Sequence, residues 1–96
     1  MALRAIRPPR ALEVFYDRGR LDFVRLADGE RTTSPCPYYC NGRVVMSAGP
    51  WRFHGEWWRK DGFSRDYYDV QLSDGVVYRL FFDRQRQSWF ADGVYD

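Results

Sequence analysis

The sequence predicts a mainly β fold: a small antiparallel curled sheet or barrel of about six or seven strands, entered by an extended N-terminal linker. Apolar side chains alternate along short runs, and turn signals recur between these runs. No window of helical length carries a sustained period of about 3.6 residues. The chain has 96 residues, of which 45% are hydrophobic and 19% aromatic. We therefore expect one core in a single small domain over residues 11–96.

The first ten residues are predicted to form the linker. Pro8 and Pro9 lack a backbone N–H and favour extended conformations in the residues before them. Three arginines precede the first acidic residue of the chain, and we interpret this basic stretch as a solvated tether. These arginines are Arg4, Arg7 and Arg10.

Two strands and two turns are predicted next. Apolar residues alternate over residues 11–16 and again over residues 21–26, which is typical of strands. Residues 17–20 contain Asp and Gly and are predicted to form the turn between them. Asp28-Gly29 marks a second turn, and residues 31–41, rich in Thr, Ser and Pro, predict an irregular loop.

The second half of the chain carries the clearest strand pattern. A short strand is predicted over residues 43–48, and longer alternating runs over residues 67–72 and 76–82 flank Asp74-Gly75, a strong hairpin signal. A last strand is predicted over residues 89–95. The predicted inward face comprises Tyr68, Val70, Leu72, Val76, Tyr78, Leu80 and Phe82. The predicted outward face comprises Tyr67, Asp69, Gln71, Val77, Arg79 and Phe81.

Cys36 and Cys40 are spaced C-x-x-x-C, which raises the question of a metal site. A structural zinc ion needs four ligands, and His54, the single histidine, brings the set to three, with Glu56 or Asp61 as the fourth. Such a mixed set is uncommon, and nothing indicates an oxidising compartment in which a disulfide would persist. We interpret both cysteines as reduced residues of a loop and expect no metal or other cofactor.

Catalytic patterns are weak. His54 and Glu56 lie two positions apart and share a face only in an extended segment. Three aspartates look like a carboxylate cluster until the hairpin separates them onto a strand and a turn; these are Asp66, Asp69 and Asp74. No G-x-S-x-G, P-loop or H-E-x-x-H pattern occurs. We therefore expect that the chain is not an enzyme.

The stretch GPWRFHGEWW, residues 49–58, holds three of the four tryptophans. Rings mixed with charges in this way fit a core corner, a partner interface or a platform that stacks nucleobases. Trp57 and Trp58 point to opposite faces of any strand, so one is expected inside and the other outside. A net charge of +2 is a poor electrostatic footprint for nucleic acid.

Three segments together resemble a known family: RPPRALEV, GRVVMSAGPWRFHGEWW and RDYYDVQLSDGVVYRLFFDRQRQSWFADGVYD. In order, spacing and rare residues they are similar to the C-terminal region of ImuB, the Y-family polymerase-like protein of the bacterial mutasome. The similarity covers most of residues 42–96. It implies that the chain is the C-terminal part of a longer cytoplasmic protein that acts near the nucleoid in DNA repair.

The resemblance implies a non-catalytic interaction module of a hub for mutagenic translesion synthesis. The implied partner is the RecA-like accessory protein ImuA, with the error-prone polymerase of the mutasome as a second candidate. No membrane partner is expected, because no apolar run approaches the length of a spanning helix. Binding of single-stranded DNA by Trp and Arg side chains is the alternative function. The candidate contact residues are Trp51, Arg52, Trp58, Arg59, Trp89, Phe90 and Tyr95.

Overall fold

A computed structural model describes residues 2–27, 40–55 and 63–95. In this part of the chain six antiparallel strands form one sheet that closes into a barrel, each strand pairing with the next and the last pairing with the first. The strands are β1 (Leu3–Asp17), β2 (Arg20–Leu26), β3 (Gly42–Gly55), β4 (Phe63–Leu72), β5 (Val77–Asp83) and β6 (Ser88–Tyr95). The prediction of a small antiparallel barrel is confirmed.

Two of the predicted turns form the hairpins that the sequence indicates. Arg18 and Gly19 both have positive φ, at 52° and 80°, which is the conformation of a type I′ turn between β1 and β2. Between β4 and β5, Asp74 Oδ1 accepts a hydrogen bond from the Val76 N–H at 2.9 Å, and Gly75 adopts a φ of 85°. Asp28-Gly29 and residues 31–39 lie outside the described residues.

The core fills the interior of the barrel with alternate side chains from the strands. The predicted inward residues of β4 and β5 are there: Val70, Leu72, Tyr78 and Leu80 are buried, while Tyr68, Val76 and Phe82 are partly buried against them. Phe81 departs from the prediction, because it lies in the outward register of β5 and yet is only 2% exposed. Phe81 is buried because side chains of the neighbouring strands cover its ring on the outside of the barrel.

Residues 3–10 belong to the barrel, where the sequence predicts a linker. They are the first half of β1, and β1 pairs with β6 at both ends of this segment. The register breaks between Ala5 and Arg10, a stretch that contains both prolines, because a proline nitrogen cannot donate to the ladder. Ile6 and Arg10 are buried. Closure of the sheet therefore recruits a segment whose local sequence indicates only extension.

Cys40 lies in the core, where the sequence predicts a loop residue. Its backbone N–H donates a hydrogen bond to the phenol oxygen of Tyr78 at 3.3 Å, so it is tied to the start of β5. Cys36 is outside the described residues, so its assignment as a reduced loop residue stays a prediction.

β3 is longer than predicted and has an irregular centre. Its register with β4 shifts between Ala48 and Trp51, the stretch that holds Gly49 and Pro50. Gly49 adopts a φ of 116°, and a Cβ there would lie 2.7 Å from the carbonyl oxygen of Tyr67. This bulge lets β3 continue alongside β4 and brings Trp51 into register with Tyr67.

We expect Gly49→Ala to lower the free energy of unfolding by about 2 kcal/mol or more, because it combines an unfavourable φ with a backbone clash. Gly19→Ala is the matched control: its φ is also positive, but nothing lies within 4 Å of the added Cβ. Urea denaturation of the two variants measures the difference. Equal losses of stability would show that the close approach to β4 costs nothing.

The seam between β2 and β3 is the shortest in the barrel. The two strands pair only at Phe23 with Arg43 and at Val24 with Gly42. Beyond Arg43, β3 continues in register with β4 alone among the described residues. Within the part of the chain that the structure describes, the barrel wall is therefore open on one side of β3 beyond Arg43.

Candidate partner-binding surface

Aromatic side chains from four adjacent strands line up across the outside of the barrel. Trp51 of β3 is in register with Tyr67 of β4, Tyr67 with Phe81 of β5, and Phe81 with Phe90 of β6. The ring centroids of Tyr67 and Phe81 are 5.5 Å apart, and those of Phe81 and Phe90 are 5.2 Å apart and stacked. Phe53 adds an edge contact to Tyr67 at 6.4 Å. We call these five residues the aromatic row.

Two guanidinium groups cover the middle of the aromatic row. The Arg65 guanidinium carbon lies 4.3 Å from the centroid of the Phe81 ring, and its Nη1 donates to the Tyr67 phenol oxygen at 3.2 Å. Arg79 lies 5.4 Å from the centroid of the Tyr67 ring. Such cation–π contacts shield the rings from water, which explains why outward-directed Phe81 is buried.

The β3 end of the aromatic row is uncovered. Trp51 is 53% exposed and Phe53 is 55% exposed, although both are large apolar residues. They form one wall of a groove of about 430 Å³. Its lining residues are Trp51, Arg52, Phe53, Tyr67, Asp69, Arg79 and Tyr95. A concave apolar site with a few polar groups is the usual form of a binding site.

The polar groups of the groove are oriented by hydrogen bonds. Arg79 donates from Nε to Asp92 Oδ1 at 2.8 Å and from Nη2 to Asp92 Oδ2 at 3.2 Å. This bond to Asp92 raises the pKa of the Arg79 guanidinium, so the groove keeps a positive charge. The Tyr95 phenol donates to Asp69 Oδ1 at 2.8 Å. Burial, and then this bond, raise the pKa of Tyr95, so its phenol is neutral at neutral pH.

We expect Asp69→Asn to lower the pKa of Tyr95, because the carboxylate that stabilises the protonated phenol is removed. The pKa should stay above the ordinary value of 10.0, since burial is the larger cause of the shift. The ¹³Cζ chemical shift of Tyr95 followed against pH measures this change. An unchanged midpoint would contradict the role of Asp69.

The raised pKa of Tyr95 also makes the stability of the fold depend on pH. The folded state holds the phenolic proton more tightly than the unfolded chain does, so this stabilisation is complete below about pH 10 and is lost as the pH rises through the folded pKa. Burial raises the pKa values of Tyr16 and Tyr68 in the same direction. Unfolding is therefore expected to become easier at alkaline pH.

Arg52 lines the groove, and the carboxylate of Asp66 on β4 holds its guanidinium group. Its Nε donates to Asp66 Oδ1 at 3.0 Å, and Arg84 Nη1 donates to the other oxygen of the same carboxylate at 3.3 Å. Asp66 is buried, while the Arg52 side chain remains 54% exposed. The ion pair fixes the direction of Arg52 and leaves part of its guanidinium accessible.

The predicted contact residues lie in different parts of the structure. Trp51, Arg52 and Tyr95 lie together in the groove, and Phe90 lies half-buried at the far end of the aromatic row. Trp89 is a correction: it is 8% exposed and belongs to the core. Its ring contacts Tyr16, Tyr68 and Phe82, because Trp89 and Phe90 are neighbours on one strand and face opposite sides. Trp58 and Arg59 lie outside the described residues.

Several groove residues are absent from the predicted set. They are Phe53, Tyr67, Asp69 and Arg79. The outward face predicted for β4 and β5 already contained the last three. Combining that face with the register of the Asp74-Gly75 hairpin would have brought Tyr67 next to Phe81. Phe53 carried no comparable signal, because its position depends on the bulge at Gly49.

Comparison of the chain with protein families, with curated proteins and with solved structures finds no match. Within residues 2–27, 40–55 and 63–95, no three His, Cys, Asp or Glu side chains group in a way that could hold a metal ion. The same part of the chain contains no helix with the length and apolarity needed to cross a membrane.

Proposed function

We propose that this chain is a non-catalytic protein-interaction module of a bacterial translesion-synthesis hub and binds the RecA-like accessory protein ImuA. The observation that carries the proposal is the uncovered end of the aromatic row, where Trp51 and Phe53 are more than half exposed beside a groove. Tryptophan and arginine dominate the residues whose truncation most weakens protein interfaces. The identity of the partner comes from the resemblance of residues 42–96 to the C-terminal region of ImuB.

The charges around the groove support a protein partner over single-stranded DNA. Arg52 is paired with Asp66, and Arg79 is paired through two hydrogen bonds with Asp92. Phosphates would compete with these carboxylates for the guanidinium groups, and would also meet the negative charge of Asp69 in the groove. A protein surface can satisfy both signs of charge. Exposed Trp51 beside Arg52 is the feature that keeps stacking of nucleobases as a second candidate.

Pull-downs of the purified chain against the RecA-like protein and, separately, against the mutasome polymerase test the proposal, with an oligothymidine titration followed by Trp fluorescence alongside them. We expect the protein complex to survive moderate salt, and Trp fluorescence to stay unchanged when the oligonucleotide is added at low salt. A salt-sensitive quench without any protein complex would support DNA binding instead. Capture of the mutasome polymerase but not the RecA-like protein would reassign the partner.

A further inference from the structure

A second groove opens where β2 and β3 part. Beyond their two paired positions, the strands leave a space of about 620 Å³ between Arg20 and Leu21 on one side and β3 on the other. The described residues that line it are Tyr16, Gly19, Arg20, Leu21, Val44, Val45, Met46, Ser47, Gly49, Pro50 and Tyr68. This groove, which we call the seam groove, lies between β2 and β3 and shares no lining residue with the groove beside Trp51.

The wall that β3 contributes is a strand edge with no other described strand beside it. Among the described residues, Val44, Met46, Ser47 and Ala48 pair with β4 and none of them pairs with β2, so the backbone groups of β3 that point away from β4 face the seam groove. An open edge of this kind is a template for another extended chain. At roughly 3.3 Å per residue, the segment from Val44 to Pro50 spans about 20 Å. Pro50 ends the template, because its nitrogen has no hydrogen to donate.

The side chains along this edge are apolar and exposed. Val45 is 60% exposed and Met46 is 65% exposed, although adjacent apolar residues on a strand are rarely left open to water. Tyr16 and Tyr68 also line the groove, and their rings contact that of buried Trp89. The seam groove therefore offers backbone groups for hydrogen bonds together with apolar surface, which is what strand addition uses.

One charged residue in the seam groove favours extended segments that carry an acidic side chain. Arg20 is the only charged residue among those described as lining it. A segment with apolar side chains and an acidic residue near Arg20 would match both the surface and the charge. A second copy of the chain offers a weaker match, because its own open edge, Val44 to Pro50, contains no acidic residue.

We infer that the seam groove binds an extended segment of a partner protein, apolar with one acidic residue, as an added strand between β2 and β3. The inference rests on the proposed function and names the mode of binding. The added strand would complete the open part of the barrel wall, while the aromatic row would contact another part of the same partner.

Amide hydrogen exchange of the chain, alone and in complex with the RecA-like protein, tests this inference. We expect exchange at residues 20–22 and 44–49 to slow by about tenfold or more in the complex, because added-strand hydrogen bonds protect open edges. Protection confined to Trp51, Phe53 and Tyr67 would overturn the inference and leave the proposed function intact. Absence of any complex would overturn both. Protection that grows with the concentration of the chain alone would replace the partner by a second copy.

Two exposed substitutions test the same groove in the binding assay. Arg20→Glu and Met46→Glu are each expected to weaken the complex about tenfold, since they repel the acidic residue or remove the apolar contact. Arg7→Glu is the control, with the same change of charge as Arg20→Glu in the exposed part of β1 next to the prolines. Circular dichroism checks that all three variants keep the β fold. Equal affinities for Arg20→Glu, Met46→Glu and Arg7→Glu would contradict strand addition at the seam.

Discussion

Trp51→Ala is expected to weaken binding of the RecA-like partner by about thirtyfold or more, which corresponds to roughly 2 kcal/mol. The residue is half exposed, stands in register with Tyr67 and forms the wall of the groove beside Phe53. Its ring is therefore already positioned on a rigid strand, and little conformational entropy is lost when a partner covers it. Isothermal titration calorimetry of the wild-type chain and the variant measures the change.

Phe15→Ala supplies the matched control for Trp51→Ala. Phe15 is also an exposed aromatic residue, at 43%, and it packs edge-on against Phe23 on the β1–β2 part of the barrel. Because it does not line the groove, its removal should leave affinity within about twofold of the wild type. Phe53→Ala should reproduce the loss seen with Trp51→Ala. Full affinity in both groove variants would rule out the aromatic row as the docking surface.

Trp89→Ala is expected to lower the free energy of unfolding by about 3–5 kcal/mol. The side chain is buried, and its ring lies 5.1 Å from that of Tyr68 and 5.4 Å from that of Phe82, so truncation leaves a cavity at one end of the core. Small domains are typically stable by about 5–15 kcal/mol, and a loss of this size removes much of that margin. Urea denaturation followed by circular dichroism measures the effect.

Trp51→Ala is also the control for stability. It removes the same side chain from an exposed position and should cost about 1 kcal/mol or less. The two variants thus separate a tryptophan that holds the fold from one that is available to a partner. Similar losses of stability for both would mean that Trp51 is part of the packing, and the proposed docking surface would have to be revised.

Local pattern was sufficient for the central part of the fold. The alternation of residues 67–72 and 76–82 around Asp74-Gly75 predicted both strands, their turn and the inward face that Val70 and Leu80 occupy. These features depend on the two-residue period of a strand and on the chemistry of one turn, both of which are encoded within a few neighbouring residues. The short turn before β2 was predictable for the same reason.

The candidate site was predicted only in part. Trp51, Arg52 and Tyr95 do meet in the groove, although Tyr95 is far along the chain from the other two. Both Trp89 and Phe90 are predicted from the sequence as contact residues. Adjacent residues of a strand face opposite sides, and here Trp89 faces the core. This error was avoidable from alternation alone. The burial of Phe81 could not be predicted from alternation, because it comes from Arg65 and from rings on two neighbouring strands.

The sequence by itself determined that the chain forms antiparallel strands with one apolar face, because alternation and turn chemistry are local properties. The tertiary structure alone decided how the barrel closes and where Trp51 lies. Pairing of β1 with β6 closes the barrel and recruits residues 3–10 into it, while the bulge at Gly49 sets the register that exposes Trp51 beside Tyr67. These outcomes depend on contacts between residues far apart in the chain, and no short window of sequence records them.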